Sequence, residues 1–141
     1  LLLIVTSLAL GKVIQVTGAA TFLSEYLLNI LEGSSPLMIL ICFYALVSIT
    51  TNFISNNACA VLFAPIAIDI AEKIDVDPKI FAIALIFSVN TSFATPLAYQ
   101  TNLLVMGPGH YKFIDYVKFG LPLTILCWVV FFFVFPFIYK I

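Results

Sequence analysis

Charge is what this sequence has least of. Only 9% of its 141 residues are Asp, Glu, Lys or Arg, six basic against seven acidic. There is neither the basic patch that holds nucleic acid nor an acidic tail. The single histidine, His110, has no second His or Cys near enough in sequence to suggest a metal site. The three cysteines, Cys42, Cys59 and Cys127, are scattered through apolar runs with no CxxC and no pairing pattern. They read as buried small hydrophobes. What is present is apolar. Hydrophobic residues make up 63% of the chain and the mean hydropathy is +1.19, whereas soluble domains carry about 45–50% apolar and about 25% charged residues. Composition excludes a soluble enzyme, a DNA-binding module and a disordered segment, and points to an all-α membrane protein in a lipid bilayer.

A helix needs roughly 20 apolar residues to cross a bilayer core of about 30 Å, so the length allows four to six membrane segments. The chain opens Leu1-Leu2-Leu3-Ile4-Val5 with no basic n-region. This is unlike a signal peptide and like a helix already under way. We expect a piece of a longer multi-pass protein whose other part shares any site.

The charges leave three uncharged stretches, 33–68, 80–111 and 119–139. The third suits one span, with Tyr139-Lys140 as an interface anchor and Trp128 as a lipid-facing or packing residue. Residues 33–68 would make a helix of about 54 Å, too long for one span and too short for two with a turn. Six of the eight residues from Thr50 to Asn57 are polar. Backbone can bend at membrane depth only where it is buried or lines water. A re-entrant hairpin satisfies both facts, with arms over about 37–54 and 57–72 and Ser55-Asn56-Asn57 at the tip.

Residues 80–111 repeat the anomaly, at about 48 Å as one helix. They carry Ser88, Asn90, Thr91, Ser92, Thr95, Gln100, Thr101 and Asn102 around Pro96. Proline removes a donor and disfavours helix at the preceding residue. The spacing predicts a broken helix that stops near Ala94-Thr95, restarts at Pro96 and ends at Gly107-Pro108-Gly109. The whole is expected as a helix plus an amphipathic helix over 1–32, the hairpin over 36–73, the broken helix over 78–109, a connector over 110–118 and a final span over 119–140. In the amphipathic piece, Thr21, Glu25, Asn29 and Glu32 form a polar stripe suited to an interface or a polar neighbour. Lys73 and Lys79 on one loop balance Lys112 and Lys118 on another, so the positive-inside rule gives no orientation.

At the tip and at the break a Ser, Thr or Asn stands where a helix is expected to begin. Ser55 or Asn56 can cap the second arm, and Thr95 the half-helix at Pro96. A helix start offers free N–H groups and about half a positive charge, a natural anion site. The preceding helix ends offer carbonyls suited to a small cation, and transporters join these devices near the bilayer midplane. We expect the anion at Ser55, Asn56, Asn57, Thr95 and Pro96, and a sodium ion on oxygens around Thr51, Ser55, Asn56 and Ala94. Neither segment holds Lys, Arg, Asp or Glu, which favours sodium over proton coupling. A competing reading makes the polar clusters interhelical glue in a non-transporting scaffold. Catalysis is excluded, since no nucleophile with a base and no metal set is in sight. No cofactor is expected beyond the coupling ion.

The stretches Thr51 to Ala58 with Ala64-Pro65-Ile66-Ala67, and Ala94 to Asn102 running to Gly107-Pro108-Gly109, resemble the divalent anion/sodium symporter family of the ion transporter superfamily. Leu10-Gly11-Lys12 through Thr17-Gly18 is similar to the helix before that family's hairpin. The resemblance implies the second of two inverted repeats, half of a transporter that works as a homodimer by moving a transport domain against a scaffold. It implies a plasma membrane or a bacterial inner membrane. It also implies that the family's Ser-Asn-Thr tip motif, matched by Ser55 and Asn56, and its Thr-Pro motif, matched by Thr95-Pro96, contact substrate and sodium. Asn57 departs from the usual Thr. An amide donates two hydrogen bonds where a hydroxyl donates one. With Tyr99-Gln100-Thr101-Asn102, this resembles the branch for sulfate and other inorganic anions, a dicarboxylate or citrate carrier being the alternative. Half a carrier leaves its polar clusters facing lipid, so the segment is expected to be unstable alone.

Overall fold

The computed structural model describes residues 9, 12–14, 16–97 and 99–139. Expectations for 1–8, Leu10, Gly11, Ala98 and Lys140 lie outside the described residues. Among those described there is no strand; residues 9, 12–14 and 16 are helical, and the helices that follow are α1 (Ala19–Ile30), α2 (Pro36–Thr50), α3 (Asn56–Lys73), α4 (Pro78–Val89), α5 (Gln100–Met106) and α6 (Phe113–Tyr139).

Local chemistry sets most helix starts. Ser35 caps α2 by accepting from the Met38 N–H, with Pro36 at the first helical position. Asp77 caps α4 by accepting from the Lys79 N–H at 2.9 Å, ahead of Pro78. Proline fits there because its missing N–H is one the helix would leave unpaired anyway. Gly18 enters α1 at φ 73°, in the left-handed region that glycine adopts without strain.

The hydrophobic core lies where α2, α3 and α4 meet. Phe43 of α2 is fully buried, with its ring 6.1 Å from that of Phe63 on α3 and 5.7 Å from that of Phe81 on α4. Such edge-on and tilted pairs add to the area they remove from solvent. The helix α6 leans on α2 through Tyr44, whose ring stacks on Phe131 at 3.9 Å. It is long and apolar enough to cross a membrane by length and composition. The helix α1 meets α3 through Ser24, which donates to the Asp69 carboxylate, and through Glu25 of its polar stripe, which pairs with Lys73 at 3.3 Å; Lys73 also pairs with Asp69 at 2.9 Å, while Asn29 and Glu32 of the stripe stay exposed.

Four boundaries differ from the sequence reading, the first being the hairpin's first arm, which ends at Thr50 instead of near residue 54. The helix expected to reach Ala94 stops at Val89, and its continuation begins at Gln100 instead of Pro96. Thr95 therefore caps no helix, and the break is non-helical over its described residues, 90–97 and 99. Side chains there compete with the backbone ladder: Thr91 Oγ1 donates to Ser88 O at 2.6 Å, and Asn90 Nδ2 to Ile86 O at 2.7 Å. The connector expected over 110–118 is mostly helix, since α6 starts at Phe113. Its Asp115 accepts from the Lys112 N–H at 2.8 Å, half of a capping box, and suits the positive helix end. The cysteines divide, with Cys59 buried and Cys42 and Cys127 half-buried.

Candidate functional site

The helices α2 and α3 form a helical hairpin, and residues 51–55 turn its tip. Ser55 caps α3 by accepting from the Ala58 N–H at 3.4 Å. The N–H groups of Asn56 and Asn57, at the first two helical positions, have no carbonyl ahead of them in the helix. Ser55 and Asn57 are exposed and Asn56 is half-buried, whereas Thr51, Thr95 and Pro96 are buried.

The tip and the break interlock. Thr51 Oγ1 lies 3.0 Å from both Asn56 Oδ1 and Val89 O, so one hydroxyl joins the start of α3 to the end of α4. Asn52 does more. Its Nδ2 donates to Ser48 O at 2.7 Å and to Thr91 O at 3.4 Å, while its Oδ1 accepts from the Ala94 N–H at 2.9 Å. Its backbone oxygen accepts from Thr95 Oγ1 at 2.5 Å. The break is held from the other side too. Asn102 of α5 donates to Ser92 O and Thr95 O at 3.1 and 3.2 Å, and Tyr116 of α6 donates to Asn102 O at 2.7 Å. Gly120 lets α6 touch the break directly, because a Cβ there would land on the Phe93 carbonyl and 2.7 Å from the Ala94 nitrogen. Among the described residues, every buried side-chain nitrogen or oxygen has a partner.

Of the residues expected to bind the anion, Thr95 is thus drawn into the interlock and Pro96 is buried, while Ser55, Asn56 and Asn57 keep an open face. Of those expected around sodium, Thr51 and Asn56 are in hydrogen-bond contact, and Ala94 is tied to the tip through Asn52. Among the described residues no hydrogen bond joins Asn56 or Asn57 to Thr95. The two motifs meet through Asn52, Ser48 and Thr91, which lay outside the expected site. Two cavities flank the interlock, of about 270 and 460 Å³. One lies between the break, α5 and the start of α6, the other between α2, the break and the rest of α6, and neither is lined by Ser55, Asn56 or Asn57.

The model of the citrate transporter family matches residues 1–141. The chain is 39% identical over 126 residues to the uncharacterized transporter YfbS of Escherichia coli, covering 89% of this chain and 21% of that protein. It is 36% identical over 107 residues to the Na(+)/citrate cotransporter of Rattus norvegicus, covering 74% and 19%. It is 25% identical over 130 residues to sodium/sulfate cotransporter 1 of Chlamydomonas reinhardtii, covering 92% and 15%. The chain spans about a fifth of the length of the curated relatives it matches. These relatives are named as transporters, not enzymes, and sodium-coupled carriers of sulfate and citrate stand among them, as the motifs at the tip and the break led us to expect. Matched along its entire length, this helical, membrane-embedded chain belongs to the citrate transporter family.

Proposed function

We propose that the complete carrier moves a divalent anion together with sodium, sulfate or another inorganic anion being the favoured cargo. The observation that carries this reading is the uncharged interlock of tip and break, with the start of an 18-residue helix left open beside it. The free N–H groups of Asn56 and Asn57, the positive end of α3 and the Asn57 amide suit an anion without supplying a fixed cation. Sodium is then the natural source of compensating charge. Bringing a dianion into a cell at about −100 mV costs roughly 4.6 kcal/mol, and two or three co-transported sodium ions cancel or reverse that cost.

The hydroxyl of Thr51 and the amide oxygen of Asn56, 3.0 Å apart, place two neutral oxygens together, as a sodium site needs. Ser55 and the carbonyls near Ala94 complete the proposed set. Burial of Thr95 and Pro96 gives them the role of a floor beneath the anion. We further propose a re-entrant hairpin, elevator-like alternating access, a homodimeric carrier and residence in a plasma membrane or bacterial inner membrane. The higher identity to the rat Na(+)/citrate cotransporter than to the algal sodium/sulfate cotransporter favours citrate or a dicarboxylate as the second reading.

The test is uptake by the complete carrier in liposomes of labelled sulfate, succinate and citrate, with an inward sodium gradient and with potassium in its place. Sodium-driven sulfate uptake alone supports the first reading, and uptake of citrate or succinate alone supports the second. Uptake that ignores sodium removes the coupling, and no uptake of any of them returns the polar clusters to a scaffold role.

A further inference from the structure

Asn52 sits at the end of the hairpin's first arm, buried, with every polar group of its side chain engaged across the interlock. Its carboxamide is a two-way bracket. The nitrogen holds the carbonyls of Ser48 on the arm and Thr91 on the break, and the oxygen holds the Ala94 amide three residues further along. Its own backbone oxygen takes the Thr95 hydroxyl. The break has no helical ladder between Val89 and Gln100, so side chains must supply the order that a helix would otherwise provide. Asn52 does so from the tip, at a distance in sequence of 42 residues from Ala94.

We propose that Asn52 is a positioning residue that fixes the register between the tip and the break, and through it the relation of Asn56 and Asn57 to Thr95 and Ala94. It touches neither cargo. Its effect on transport rests on the function proposed above, whereas its effect on the break does not. Without the carboxamide, the Ala94 N–H and the Ser48 carbonyl lose their partner and the stretch from Thr91 to Ala94 loosens against the tip, while the Asn52 backbone oxygen still holds the Thr95 hydroxyl. Both cargo sites draw on both sides of that joint, so anion and sodium affinity fall together.

The experiment uses the complete carrier in lipid, as parent, Asn52→Ala, Asn52→Asp and Thr50→Ala. Size exclusion establishes that each variant is assembled. Hydrogen exchange is read on the peptide covering 90–97, and uptake of sulfate and citrate gives the KM and the sodium concentration for half-maximal rate. In Asn52→Ala the 90–97 peptide loses protection, and KM and half-maximal sodium both rise roughly tenfold, as expected for a lost buried bond, with a smaller change in maximal rate. In uncharged, buried surroundings the Asn52→Asp carboxyl stays protonated and can both donate and accept, so its values fall between those of parent and Asn52→Ala. Thr50, whose hydroxyl bonds only Leu46 O on its own helix, leaves all three readouts unchanged on conversion to Ala. Unaltered exchange in Asn52→Ala overturns the inference whatever the carrier transports. Lost protection with unchanged KM and sodium dependence overturns the positioning role. Lost protection in a carrier that takes up none of the tested anions supports the bracket and overturns the proposed function instead.

Discussion

The indole N–H of Trp128 donates to the hydroxyl of Ser48 at 2.8 Å, across 80 residues of sequence. Ser48 Oγ in turn lies 2.5 Å from Thr91 Oγ1. A single chain of hydrogen bonds therefore runs from α6 through the first hairpin arm to the break. Replacing Trp128 by Phe keeps most of the ring volume and removes the donor. It should cost about 1 kcal/mol of stability, the usual net worth of such a bond, whereas Trp128→Ala should cost about 3–5 kcal/mol through lost packing. Thermal melts of the complete carrier in detergent measure the difference.

Gly120 admits no side chain. The atoms a Cβ would meet belong to the backbone of Phe93 and Ala94 and cannot rotate aside. Gly120→Ala should therefore destabilise the carrier by about 1–3 kcal/mol, as overpacking does, and displace the break. The expected readouts are a lower melting temperature and weaker sodium-dependent uptake. Gly107, with open space where a Cβ would stand, should tolerate Ala.

Thr51 is fully buried, and its hydroxyl serves Asn56 Oδ1 and Val89 O. Thr51→Val keeps the shape and strands both oxygens, at about 1–3 kcal/mol. If Thr51 also lines the sodium site, half-maximal sodium should rise more than the anion KM measured at saturating sodium. Equal changes in the two would assign Thr51 to the frame alone.

The ion pairs between α1 and α3 should matter little by comparison. Lys73 and Asp69 are partly exposed and Glu25 more so, and such pairs contribute about 0.2–1 kcal/mol. Lys73→Met should lower the melting temperature slightly at low salt, and the difference should shrink as salt screens the pair.

Three helix starts are legible in the sequence because capping is a local rule, although the same rule misleads at Thr95-Pro96, where no helix begins. Ser35-Pro36, Ser55 and Asp77-Pro78 each announce a start within one turn, and each starts a helix. The location of the break was legible from Pro96 and the polar run before it, but its width was not. The rule that a helix yields just before proline set the expected stop at Ala94-Thr95, whereas the Thr91 and Asn90 side chains already turn back on the last turn of α4. The open face at Ser55, Asn56 and Asn57 follows from their place at the tip. Asn52 carried a signal, lying in the same polar run, yet nothing within that run reveals that its partners are Thr91 and Ala94. Trp128 carried none. In an apolar helix its ring reads as filler, and only the packing of α6 on α2 brings its N–H to a serine.

The long reach of the interlock has a consequence for how the chain is built. Ribosomes add about 5–20 residues per second, so the 80 residues between Ser48 and Trp128 take on the order of 4–16 s to emerge. The 43 between Ser48 and Thr91 take about half as long. A newborn hairpin therefore exists for seconds before the break arrives to occupy its serine, threonine and asparagine, and for longer before α6 does. Synthesis thus delivers the break to the hairpin first and the final helix last.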